Sequence, residues 1–215
     1  MKNMKYVMYS HRYAYPILQT DREFYDLWNE IIEVLEVITE DDIIKHFNHR
    51  KDVCNAKDKS ISKTINELLK EKFIERGWFI ESAIFQNPDY KGDTWRLDFA
   101  KENISIEVGF NHSSVIAWNL LKPVLASELN HVQKAIQTKI GVIISVTDAM
   151  KRVGGFDNAI STYEKYIDYL KPLSNQLSVP LLIIGIEAPD TFFVRQEKIS
   201  NRYIGTIVKK EGYHF

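Results

Sequence analysis

The sequence predicts an α/β (α+β) domain, a mixed central β-sheet flanked by helices, spanning residues 1–215 as one unit. Three observations carry this. A helical apolar stripe leads the chain, a set of period-two segments occupies residues 78–110, and two continuous apolar runs separated by a helix follow, which suggests parallel pairing.

Residues 4–9 (MKYVMY) read as a short strand. Thr20 and Asp21 offer N-caps for a helix beginning near Arg22, whose stripe is Phe24, Leu27, Trp28, Ile31, Val34, Leu35 and Ile38. Residues 41–57 are polar and poorly periodic, after which Ile61, Ile65, Leu68, Leu69 and Phe73 restore a helix that stops at Gly77. The period then changes to two, giving strands at 78–85, 94–100 and 103–110, with QNPDYKGD (86–93) as a surface loop. A helix is predicted over 113–137, kinked or restarted at Pro123. KIGVIISVT (139–147) and VPLLIIGIEA (179–188) are the buried strands, and Ala159, Tyr163, Tyr166, Ile167 and Leu170 mark the helix between them, after the break at Gly154 and Gly155.

Composition bounds the function classes. With 45% hydrophobic and 27% charged residues the chain is an ordinary globular one. Its 28 basic against 29 acidic residues, a net charge of -1, exclude a histone-like binder but not DNA, which responds to the local lining of a cleft. The single cysteine, Cys54, cannot form an internal disulfide, and no Cys/His cluster has zinc spacing. No run approaches the roughly 20 apolar residues of a membrane helix, so a cytoplasmic protein with no membrane partner is expected.

The informative stretch is WRLDFAKENISIEVGF (95–110). With Glu102 and Asn103 as a two-residue turn, Lys101 opposes Ile104 and, counting outward, Asp98 opposes Glu107 on neighbouring antiparallel strands. Leu97, Phe99, Ile106 and Val108 take the core side, leaving Arg96, Asp98, Ser105, Glu107 and Gly109 on the polar side. Directly opposed side chains lie about 4.5–5.5 Å apart at Cβ, where like charges destabilise. Two readings satisfy this pattern: a solvated face neutralised by Arg96 or Lys101, or a site for a hard divalent cation such as Mg²⁺, which takes carboxylate oxygens and leaves positions for water and phosphate.

Asp98-Phe99-x-Lys101 followed by Ile106-Glu107-Val108-x-Phe110 resembles the Asp-Phe-x-Lys and Glu-Val-Gln-Phe segments of the type II restriction endonucleases of the BglII, BstYI and BamHI group, within the PD-(D/E)XK superfamily. Weaker similarity extends to Tyr9-Ser10-His11, to KEKFIERGW (70–78) and to PLLIIGI (180–186). The resemblance implies a homodimer clamping a palindromic double-stranded DNA site and metal-dependent phosphodiester hydrolysis. It implies Asp98 and Glu107 as metal ligands, with the Val108 carbonyl as a further oxygen and Glu81 and Lys101 as additional catalytic candidates. Glu81 reads equally as a solvent-facing residue beside a buried Ile80. The resemblance also exposes a departure: where the group carries Lys, Gln or Glu two residues after the second acid, this chain has Gly109, so Lys101, Glu81 or a phosphate-bound water must orient the attacking water, or cutting is slow or absent.

The loop FNHSS (110–114) leaves the Glu107 strand, making Asn111, His112, Ser113 and Ser114 candidates for base readout, with a helix cap at Ser113 or Ser114 as the alternative. Lys122, Lys134, Lys139, Arg195, Lys198, Arg202, Lys209 and Lys210 are either phosphate contacts or surface charge. His46, His49 and His131 show no nucleophile or metal spacing. The leading expectation is a Mg²⁺-dependent type II endonuclease acting on a short palindrome, with a centre at GATC suggested by the resemblance. A repair or junction nuclease of the same fold, and a weakened DNA-binding protein, are the alternatives.

Overall fold

Tyr6–His11 (β1), Phe79–Ala83 (β2), Arg96–Lys101 (β3), Ile104–Val108 (β4), Ile140–Val146 (β5) and Leu181–Ile186 (β6) form one mixed sheet in the order β1-β6-β5-β4-β3-β2. The computed structural model describes residues 2–87, 89, 92–128 and 134–210. β4, β5 and β6 run parallel, while β3 and β2 add antiparallel on one side and β1 on the other. The two continuous apolar runs are central because every residue of β5 and β6 is buried, leaving no polar position to face water.

Helices cover both faces. Ala14–Thr20 (α1), Tyr25–Val37 (α2), Glu40–Asp52 (α3) and Ser62–Glu75 (α4) pack on one face, where Leu27, Ile31, Val34, Leu35, Leu69 and Phe73 meet Phe99, Ile106, Val142 and Ile184. Ile116–Glu128 (α5) and Tyr163–Leu173 (α7) pack on the other, joining Leu120, Tyr166 and Leu170 to Ile143, Leu181 and Ile183. A short helix, Asp148–Val153 (α6), follows β5. Phe192–Ile199 (β7) and Arg202–Lys209 (β8) pair as a separate antiparallel ribbon. Among the described residues no helix is long and apolar enough to cross a membrane.

The α4 terminus shows how locally a stop is written. Gly77 adopts φ 75°, its N–H reaches the Ile74 carbonyl and the Trp78 N–H reaches that of Phe73, a Schellman closure that favours glycine. Elsewhere the structure corrects the reading. The polar stretch after residue 40 is helical: Thr39 and Asp42 form a reciprocal capping box, and acids at 40–42 with His49, Arg50 and Lys51 at the far end complement the helix dipole. Capping and charge, with Ile43 and Phe47 buried, hold α3 where a broad apolar stripe is missing.

The helix expected near Arg22 begins at Tyr25, after the separate α1. α5 continues through Pro123 and is followed to Glu128, short of the expected 137. Residues 129–133, His131 included, lie outside the described residues. Beyond them Lys134 bridges to Phe85 and Ala135 donates its N–H to the Ile84 carbonyl, so residues 134 and 135 lie along the sheet and not in a helix.

Candidate active site

The β3–β4 hairpin has the register the alternation predicts: Lys101 pairs with Ile104, Ala100 with Ser105 and Phe99 with Ile106. Glu102, at φ 47°, makes the turn. One step further out the carboxylates enter the backbone pairing. The Val108 N–H donates to Asp98 Oδ2 at 2.7 Å, and the Asp98 N–H approaches Glu107 Oε1 at 3.4 Å. Along its other edge β4 pairs with β5 from Ile104 to Val108, with Glu107 beside Ile143 and the Gly109 N–H on the Ile144 carbonyl at 2.8 Å.

The side of the hairpin carrying the acids is not solvated. α5 and α7 cover it, and Glu107 is only 2% exposed. Lys122 of α5, itself 7% exposed, donates from Nζ to Glu107 Oε2 at 2.7 Å. Burial first, and then the charge of Asp98, push the Glu107 carboxyl up to about 8, against the pull of the Lys122 ammonium. The Asp98 carboxyl is also raised, chiefly by burial, with Glu81 adding to it and the Val108 N–H and Lys122 opposing. Two adjacent acids that both resist ionisation favour a cation between them. Their donor atoms are all oxygens, which suits a hard divalent ion that keeps several of its own waters. Among the described residues no group of three or more His, Cys, Asp and Glu side chains forms a fuller metal cage.

A cleft of about 200 Å³ opens on Asp98 and is lined by Asn66 and Lys70 of α4 with Glu81, Val108 and Asn111. It gathers several residues singled out from sequence. Glu81 lies at φ 50° in β2, where paired residues flank it on both sides but it is itself skipped. Its neighbour Ile80 is 37% exposed, so the buried Ile80 of the alternative reading is not found. Lys101 does not join the cleft. Its ammonium is held by both oxygens of Glu30, at 2.7 and 2.8 Å, and by the Arg76 carbonyl at 2.8 Å, on the α2–α4 side.

In the loop after β4, Asn111 reaches the cleft while its carbonyl accepts from the Ser161 N–H at 2.8 Å. The cap is His112, not Ser113 or Ser114: its Nδ1 accepts from the Ser114 N–H at 3.2 Å. Arg195, Lys198, Arg202 and Lys209 stand on the β7–β8 ribbon, away from the acid pair in the chain, and Lys139 pairs with Glu23 at 2.5 Å. Lys122 is the residue whose place sequence reasoning missed. Its signal was a lysine between Asn119 and Pro123 on the inward stripe of α5 that includes Ile116, Leu120 and Ala126.

The sequence family described as restriction endonuclease BglII/BglIII matches residues 6–186, the span from the first residue of β1 to the last of β6. The chain belongs to this restriction endonuclease family. The endonuclease is therefore a type II, site-specific deoxyribonuclease acting on DNA. Its fold is similar to the crystal structure of restriction endonuclease BglII complexed with a DNA 16-mer, with a TM-score of 0.64, 21% identity and coverage of 96% of this chain and 90% of that one. It is also similar to free BglII, with a TM-score of 0.52, 22% identity and coverage of 96% and 100%. No curated protein sequence matches the endonuclease.

Proposed function

We propose that the enzyme hydrolyses both strands of a short palindromic duplex, with Mg²⁺ held by Asp98, Glu107 and the Val108 carbonyl. The observation that carries this is the acid pair itself, a buried Glu107 on β4 held against Asp98 of β3, which lines an open cleft. When bound, the cation lowers the pKa of a coordinated water and offsets charge on the phosphate. Asp98 and Glu107 fix where that charge sits. Lys70 and Asn66, which line the cleft with Asn111, would meet the phosphate backbone, and Asn111, with His112, Ser113 and Ser114 next to it in the chain, base edges.

Duplex DNA as partner is supported by the BglII structure solved with a DNA 16-mer. Each chain carries one acid pair and a palindrome offers two symmetry-related phosphodiesters, so a two-fold homodimer matches one site to each strand. A six-base-pair target centred on GATC is the reading the resemblance suggests. The test is digestion of mapped plasmid DNA with Mg²⁺ and sequencing of the ends. Discrete bands that disappear in Asp98→Ala, with a rate loss of about 10³-fold or more, are expected. Full cleavage by Asp98→Ala would remove the site, and smeared or structure-dependent products would favour a repair nuclease.

A further inference from the structure

The strand bearing Glu107 cannot carry a further side chain two residues on. A Cβ built on Gly109 would lie 2.2 Å from the Tyr166 hydroxyl oxygen and 2.7 Å from its Cζ. The Tyr166 ring, wholly buried, therefore fills the space a residue at 109 would use, and Asn119 Nδ2 anchors its hydroxyl at 2.8 Å. Asn119 and Lys122 are three apart on α5 and so share its inward face. One holds the tyrosine that blocks the strand; the other supplies an ammonium to Glu107.

We propose that Lys122 is the positioning residue of the nuclease site, delivered from α5 because Gly109 leaves no room for one on β4. The inference rests on the nuclease reading above. By engaging Glu107 Oε2, Lys122 turns Oε1 toward Asp98, whose Oδ2 is already taken by the Val108 N–H. Asp98 Oδ1, and Glu107 Oε1 with only the long 3.4 Å approach of the Asp98 N–H, are thus the oxygens with most capacity left for a cation. A role in fold stability alone explains the pair poorly, since a buried ion pair is commonly matched or exceeded by apolar residues of similar volume. Lys101 and Glu81 do not engage Glu107: Lys101 is held by Glu30 on the other side of the sheet, and Glu81 stands on β2, with β3 between it and Glu107.

Two measurements test this. In the labelled wild-type protein, the Lys122 side-chain nitrogen resonance, assigned by its loss in Lys122→Arg, is followed while Mg²⁺ alone is added. A shift that saturates together with those of the Asp98 and Glu107 carboxyl carbons is expected. A Lys122 signal that stays fixed while both carboxyl signals move overturns the proposal. In single-turnover cleavage, Lys122→Met should lose about 100-fold in rate and Lys122→Arg about tenfold at most, while duplex affinity in Ca²⁺ stays within about threefold for both. Cleavage by Lys122→Met within threefold of wild type, with Asp98→Ala inactive, overturns the proposal and leaves the nuclease reading standing. If the wild type itself fails to cut, that reading falls, and the Mg²⁺ titration still decides whether Lys122 serves the acid pair.

Discussion

Glu107 concentrates the physical tension of this protein. It is buried beside another carboxylate, and its proton is held up to about 8, whereas an unfolded chain releases that proton near 4.3. Between those values the folded state binds the proton and the unfolded state does not, so stability is fully present below the unfolded value and is lost as pH rises toward the folded one. In metal-free buffer, urea unfolding should therefore show stability falling from pH 5 to pH 8 by an amount on the order of 1–4 kcal/mol. Mg²⁺ should restore it, since a ligand that binds only the folded state stabilises by mass action. Glu107→Gln should flatten the pH slope; an unchanged slope in that variant would assign the effect to another group. Sequence spacing found this residue because a hairpin register is set within a dozen residues. Its burial was not visible, because alternation labels a face polar without saying what covers it.

At the scale of elements, α5 carries Lys122, whose ammonium meets Glu107, and its seating on the sheet is tight. Pro123, next to Lys122, packs its ring where a Cβ on Gly141 of β5 would stand, at 2.4 and 2.6 Å, with Leu181 of β6 at 2.6 Å. The glycine is needed for close approach of helix to sheet. Gly141→Ala should cost about 1–3 kcal/mol in denaturant unfolding by overpacking. Because the intruding methyl meets the residue after Lys122, cleavage by the folded variant should also fall, and full activity would show that α5 tolerates displacement. The sequence marked Pro123 as a kink or restart of the helix, since proline lacks the N–H a helix interior uses, yet α5 runs on through it. Packing against Gly141 is a tertiary fact and decides otherwise. α3 is the opposite lesson: Thr39 and Asp42 wrote its start in capping chemistry, which a search for apolar period alone passes over.

The whole molecule presents a near-neutral chain to a polyanion, so binding depends on where its charges lie. Sedimentation with a palindromic duplex in Ca²⁺ should show two chains per duplex, and affinity should fall linearly on a log–log scale with salt. One chain per duplex would remove the homodimer. The sequence by itself determined the mixed sheet's strands, the helix that ends at Gly77 and the hairpin register that brings Asp98 up to Glu107, because strand period and turn chemistry act between near neighbours. Only the tertiary structure decided that Lys122 and Tyr166, 15 and 59 residues beyond Glu107, close over that pair while Lys101 turns away. Docking of α5 and α7 is a non-local packing choice, and a helix's period shows which side faces inward without naming the partner each inward polar group will meet.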